Sequence, residues 1–220
     1  IDLFAGAGGL SLGFRAQGFS VKGFDADATA AKTYERNLGQ SIVQTLTESS
    51  DVGTATVLLA GPPCQPWSRA GTLAGEADRR EGLQVTTAIA IRTRPAAIVI
   101  ENVPELARSG RTYLDGFISL MEGAGYTVHE KQLNAADFGV PQNRRRVFVV
   151  AVNDVEFKFP EPLPYRVPVR GAIGRTASRE ADDIRWLTPT MDEYINRYEI
   201  ASKCRYPRDV YPDRPARTLT

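Results

Sequence analysis

A thiol on a stiff turn is the first group in this sequence able to do chemistry. Gly61-Pro62-Pro63-Cys64-Gln65-Pro66-Trp67-Ser68 follows the apolar run Val57-Leu58-Leu59-Ala60. The prolines fix φ and bias the residues before them to extended backbone, which leaves Cys64 little freedom. Gly61 lets the backbone approach another group closely. A thiolate so placed is a nucleophile toward an electron-poor carbon. A lone cysteine is more often a small packed hydrophobe, so the thiol needs companions. One is Glu101, which ends the apolar run Ala96-Ala97-Ile98-Val99-Ile100 and precedes Asn102-Val103-Pro104; a loop-bracing acid is the plain alternative. Another is Gln142-Asn143-Arg144-Arg145-Arg146, which feeds a second apolar run. Alternate residues entering a strand share a face, so Arg144 and Arg146 point together and Arg145 away. A solvated basic surface is the plain alternative there. A third is the turn Ala5-Gly6-Ala7-Gly8-Gly9 with Asp25 beyond it. An acid at the tip of a second strand is placed to accept hydrogen bonds from a ribose diol, or to cap a helix.

The elements that position these groups alternate. Asp2-Leu3-Phe4 ends a strand, the glycines turn, and residues 10–17 continue as a helix that Gly18 ends. Leu10 and Phe14, with Leu12 a further candidate, face inward. Strand, glycine turn and helix open a nucleotide-binding βαβ unit. The spacing is G-x-G-G, with Ser11 where a dinucleotide fingerprint has its third glycine. A second strand spans 19–24. Asp25 or Asp27 opens a helix through Leu38, with Ala31, Tyr34 and Leu38 on one face. Strands follow at 42–46 and 56–60. The loop from Cys64 to about Gly82 is long enough to be functional. A helix at 83–93, a strand at 96–100, a helix at 111–124, strands at 126–133 and 147–152, and a turn at 135–141 complete the pattern. Leu114, Phe117, Ile118 and Met121 are the buried side of the 111–124 helix.

The 220 residues are 42% hydrophobic and 24% charged, with net charge +1, so bulk charge does not announce a nucleic-acid partner. No apolar stretch approaches a membrane span, and no signal peptide is visible. Two cysteines, Cys64 and Cys204, point to a reducing compartment, the cytoplasm. The single histidine, His129, excludes His-rich metal sites, and no metal is expected. The chain begins at Ile1 inside a strand, so residues are expected upstream. Composition changes near Asn153: residues 154–220 hold 8 of 14 prolines, 2 of 19 glycines and 10 Arg against 2 Lys. This separates 1–153 from a smaller, irregular 154–220 region with one short helix near 191–200. Arg is suited to phosphates and base edges.

Together these fragments resemble the C5-cytosine DNA methyltransferase family. The likeness covers roughly residues 2–152 and rests on Asp2-Leu3-Phe4-Ala5-Gly6-Ala7-Gly8-Gly9, Gly61 to Ser68, Glu101-Asn102-Val103 and Gln142 to Arg146. The resemblance implies a Rossmann-like, doubly wound α/β fold, mostly parallel with an antiparallel final strand, followed by the start of a target-recognition domain. It implies S-adenosylmethionine held by Phe4, Ala5, Gly6, Gly8, Gly9, Leu10, Asp25, Ala26 and Pro62. It implies Cys64 as nucleophile at C6 of a cytosine flipped out of duplex DNA. Glu101 would act at N3, with a raised pKa in the closed site, and Arg146 at the base carbonyl oxygen. Arg144 would hold the loop or a phosphate, and Gln65, Ser68 and Gln142 would contact substrate. Ala26 stands where the family has a bulky residue, and Thr45 where it has an acid meeting the adenine. Other readings are a tRNA cytosine-5 methyltransferase and a subunit that needs a partner chain for the family's last motifs. An NAD-dependent dehydrogenase is disfavoured by the turn spacing and the lack of a relay histidine. By analogy the enzyme is prokaryotic, nucleoid-associated and part of a restriction-modification system.

Overall fold

The computed structural model describes residues 1–63, 82–174 and 213–218, with single positions 190, 193, 197 and 200. In chain order the elements are β1 (Asp2–Leu3), α1 (Gly9–Ala16), β2 (Gly23–Asp25), α2 (Ala28–Leu38), β3 (Ser41–Val43) and β4 (Val57–Ala60). Then come α3 (Gly82–Thr93), β5 (Ala97–Asn102), α4 (Arg111–Gly123), β6 (Thr127–Asn134), β7 (Gln142–Asn143), β8 (Arg145–Val152), α5 (Val169–Ile173) and β9 (Ala216–Arg217). Seven strands form one sheet in the order β3-β2-β1-β4-β5-β8-β6. β1 pairs in parallel with both β2 and β4, β2 with β3, and β4 with β5. β8 runs antiparallel to β5, with Glu101 opposite Phe148 and Asn102 opposite Val147. The fold is therefore α/β, doubly wound and mostly parallel, with the antiparallel strand that the family resemblance implies.

The sheet follows from its sequences. β4 and the first residues of β5 are continuous apolar runs because helices cover both faces of a parallel sheet. Leu58, Ile98 and Ile100 are buried with Leu114, Phe117 and Met121 of α4 and Val147 and Val149 of β8. Each such side chain contributes roughly 1.5–3 kcal/mol by leaving water. α2 starts at Asp27, whose carboxylate accepts from the backbone N–H of Thr29 (2.7 Å) and Ala30 (3.3 Å). It buries Ala31, Tyr34 and Leu38 and stops at Gly39, φ 110°. Arg15 donates to the Leu38 carbonyl at that end.

Three local expectations change. The second strand covers only residues 23–25. Phe19 packs edge-on against Phe14 at 5.5 Å and its N–H bonds to the Phe14 carbonyl, so the chain is still leaving α1 there. Leu12 is 58% exposed, whereas Ser11 is the buried residue of α1 because its hydroxyl has inward polar partners. The third strand covers 41–43; Leu46 is buried from a loop instead.

Contacts divide the chain into two units, Ile1–Leu133 with Arg145–Pro160, and Asn134–Arg144 with Glu161–Thr220. In the second unit Asn134 caps a single 3-10 turn, which Gly139 ends in the left-handed region. β7 and β9 pair in parallel, Gln142 opposite Ala216. Arg166 donates twice to one oxygen of Asp137, at 2.8 and 2.6 Å. Thr190, Glu193, Arg197 and Ile200 are helical, which agrees with the helix expected at 191–200. Among the described residues no helix is long and apolar enough to cross a membrane.

Candidate active site

Strand order reverses at β1, which has β2 on one side and β4 on the other. Such a switch point opens a crevice at the carboxyl ends of the strands, where ligands of open α/β sheets bind. The chain leaves that edge at Phe4, Asp25 and Gly61, and β5 brings Glu101 to it.

The turn after β1 is an unusual backbone. Phe4 has φ 58°, Gly6 53° and Gly8 93°. A bulky residue in the left-handed region stores strain, and such strain collects at binding sites. The Ala5 N–H bonds to the Phe24 carbonyl and the Gly8 N–H to the Ala5 carbonyl, both at 2.9 Å. Asp25 accepts from the Gly6 N–H at 2.7 Å and from the Asp27 N–H at 2.8 Å. It thus braces the turn while Asp27 caps the helix. A carboxylate has about four acceptor positions, so Asp25 keeps capacity for a diol. Nothing would lie within 4 Å of a Cβ on Gly6 or Gly9, which leaves the turn open to a ligand. α1 has no side-chain cap, so its first N–H groups suit an anionic group. Ala5 and Gly8 are buried, Phe4 and Leu10 half-buried, Gly9, Ala26 and Thr45 exposed.

Two strands away, Arg146 Nε meets Glu101 Oε1 at 3.0 Å, with side chains 17% and 25% exposed. The antiparallel pairing of β5 with β8 makes this contact, and the arginine's N–H to the Arg145 carbonyl (2.7 Å) steers the guanidinium. Asn102 is buried; its Nδ2 donates to the Pro62 carbonyl at 3.3 Å and its Oδ1 accepts from the Val103 N–H at 2.8 Å. The carboxylate strand is thereby tied to the proline turn two residues before Cys64. Asn102 belongs to the Glu101-Asn102-Val103 fragment, and the structure gives it this tying role. A Cβ on Gly82 would lie 2.6 Å from Pro62 Cβ and 2.8 Å from Pro63 Cδ. The chain therefore departs from the sheet at Pro63 and returns against the same prolines.

Cys64, Gln65 and Ser68 lie outside the described residues. Gln142 and Arg144 belong to the second unit, both half-buried, and Arg145 is exposed. Ala216–Arg217, within the region expected to be irregular, supplies the strand beside Gln142–Asn143; the Thr218 hydroxyl donates to the Asn143 carbonyl at 2.5 Å. Two cavities of about 500 and 490 Å³ lie elsewhere. One is lined by Lys22, Val52 and Val57, the other lies between α3 and α4, and neither is lined by residues of the glycine turn.

A family model described as C-5 cytosine-specific DNA methylase matches residues 1–201. The chain is 43% identical over 224 residues to Type II methyltransferase M.AplI of Arthrospira platensis, a match covering 100% of this chain and 65% of that protein. It is 40% identical over 200 residues to Type II methyltransferase M.NgoBI of Neisseria gonorrhoeae, covering 88% and 62%. The crystal structure of S. pombe Dnmt2 methyltransferase matches with a TM-score of 0.69 at 18% identity, over 100% of this chain and 69% of that one. At that identity the likeness concerns the fold. The chain spans between about half and two thirds of the length of the curated relatives it matches.

Proposed function

The chain belongs to the C-5 cytosine-specific DNA methylase family, and from that premise we propose that it methylates C5 of cytosine in double-stranded DNA with S-adenosylmethionine as donor. The observation that carries this reading is the arrangement at the end of β5. Glu101 and Arg146 form a 3.0 Å pair there, and the neighbouring Asn102 holds the carbonyl of Pro62. An acid, a cation and a thiol-bearing turn are what C5 chemistry on cytosine requires.

C5 of cytosine is a poor nucleophile because the ring is electron-poor. The Cys64 thiolate adds to C6, breaks the aromaticity and makes C5 enamine-like. Negative charge develops on the ring during that step. Arg146 takes the base carbonyl oxygen, and Glu101, parted from its counter-ion and having taken up a proton from solvent, gives that proton to N3 and recovers it when the thiolate leaves. When bound, the donor supplies an electrophilic methyl group to C5. Loss of the C5 proton to a base, with an ordered water as candidate, then expels the Cys64 thiolate. The target must leave the duplex stack, since neither face of a stacked cytosine is open to a thiol.

Asp25 offers its remaining acceptor positions to the donor's ribose. The open glycine turn and the uncapped start of α1 receive the amino-acid end, with Phe4, Leu10, Ala26 and Pro62 around it. Residues 154–220 form the start of the target-recognition domain, whose Arg-rich composition suits phosphates and base edges. Gln65, Ser68, Gln142 and Arg144 contact the DNA near the displaced base. The relatives named Type II methyltransferases support a place in a restriction-modification system.

The test is transfer of labelled methyl from S-adenosylmethionine to duplex DNA or to tRNA, followed by digestion to nucleosides. Label is expected in 5-methyldeoxycytidine from duplex DNA. Label confined to tRNA, or to another atom of DNA, contradicts the reading.

A further inference from the structure

A buried chain of hydrogen bonds lies beneath the glycine turn, and no step above uses it. Asp2 of β1 is 1% exposed, and its Oδ2 accepts from Ser11 Oγ at 2.7 Å. Ser11 of α1 is fully buried and accepts from the Tyr34 hydroxyl at 2.9 Å. Tyr34 of α2 is fully buried too. Burial pushes the Tyr34 hydroxyl above its ordinary value, and pushes the Asp2 carboxyl up to about 6. The proton therefore stays on the tyrosine and Asp2 is the terminal acceptor.

The placement of this chain matters more than its chemistry. Asp2 precedes the turn and Ser11 follows it, so their bond ties the turn's entry to its exit. The Tyr34 ring is the floor: a Cβ on Gly8 would lie 2.9 Å from its Cδ2, and one on Gly23 2.7 Å from its Cε2. Around it Ala5 and Leu38 form a small apolar cluster apart from the main core. A phenylalanine would fill the same floor without burying a hydroxyl, and an alanine would suit α1 better than a serine. Apolar contacts alone would let α1 slide against β1, whereas a directional chain of three groups fixes one register.

We propose that Asp2, Ser11 and Tyr34 are positioning residues that hold the glycine turn in its binding shape before the methyl donor arrives. The proposal rests on the reading of residues 4–10 as the donor site. Part of the donor's affinity then comes from a turn already ordered, which saves the cost of ordering it on binding.

The matched control is Tyr126, whose hydroxyl is also buried and donates to the Pro95 carbonyl at 2.7 Å, away from the turn. Tyr34→Phe and Tyr126→Phe each lose one buried tyrosine hydrogen bond and keep the ring. Two quantities are measured on the full chain: amide hydrogen exchange of residues 6–10 without ligand, and the Kd for S-adenosylmethionine by calorimetry. Tyr34→Phe and Ser11→Ala are expected to speed exchange in the turn about tenfold, leave β4 and β5 unchanged, and weaken donor binding about 5–10-fold. In turnover their donor KM rises more than kcat falls. Tyr126→Phe changes none of these. Equal behaviour of the two tyrosine variants, or unchanged turn exchange in Tyr34→Phe, overturns the proposal. Failure of the unaltered protein to bind the donor refutes the donor-site reading instead, and the exchange comparison still decides whether the chain holds the turn.

Discussion

The glycine turn and the Glu101–Arg146 pair serve one edge of one sheet, yet they are built from different materials. At the turn, a buried serine, a buried tyrosine and the buried Asp2 are joined by short bonds shielded from water, and the half-buried Asp25 braces the backbone above them. At the pair, two long side chains meet with 17% and 25% of their surfaces in solvent. Both side chains are mostly covered, so parting them would strand two charges unless an incoming base supplies new partners for each. The contrast suits a binding site made before its ligand arrives beside a reacting site that rearranges when the base enters. Damage to the first should change donor affinity or folding, and damage to the second should change the chemical step.

The largest separation is expected from Glu101→Gln, which keeps shape and removes proton sharing. Single-turnover methyl transfer should fall by about 10²–10⁴-fold, while the donor Kd stays within about twofold. A proportional loss of donor affinity would break the division. Next, Gly8→Ala places a methyl group against Leu38 and Tyr34 at φ 93°. Urea unfolding should show a loss of about 2–4 kcal/mol. Gly13→Ala, inside α1 with open space around it, should instead gain about 0.5–1 kcal/mol.

A third effect is pH-dependent. Burial raises the Asp2 carboxyl to about 6 from 3.8, with Asp25 adding to the rise and the Ser11 bond and the Ile1 amino group opposing it. The folded state therefore holds this proton more tightly than the unfolded chain. The contribution is complete below about pH 4 and lost as pH climbs through 6, a fall of about 2–3 kcal/mol. Unfolding of Asp2→Asn followed over that window should lack this slope. A smaller loss is expected from Asn102→Ala, which unties Pro62. It should cost about 1–2 kcal/mol of stability, slow methyl transfer and, through Pro62, raise donor Kd by no more than about threefold.

Much of this frame was legible from periodicity. The 57–60 and 97–100 runs and the faces of α2 and α4 stand where their patterns place them, because burial on a sheet or helix imposes a period that survives in sequence. What escaped was polar or long-range. Ser11 reads as solvent-facing in an amphipathic pattern, and only its two partners, far apart in sequence, turn it inward. Phe19 and Val21 look like strand residues, but they are apolar because they pack on α1 and on the Tyr34 cluster. Two residues of parallel pairing at β9 have no local signature, since their partner lies in another part of the chain. At the candidate site Asp25, Glu101 and Arg146 were legible as types at strand ends. Their 2.7 and 3.0 Å contacts come from strand order and register, which composition cannot supply.

Attack of Cys64 on cytosine can be captured covalently on duplex DNA containing 5-fluorocytosine. Fluorine at C5 cannot leave as a proton does, so an adduct formed in the presence of S-adenosylmethionine persists through denaturing electrophoresis. The expected result is a DNA-linked band for the unaltered protein, a peptide map placing the link at Cys64, and no band for Cys64→Ser. A folded, donor-binding protein that gives no adduct, or an adduct undiminished in Cys64→Ser, would contradict attack by Cys64.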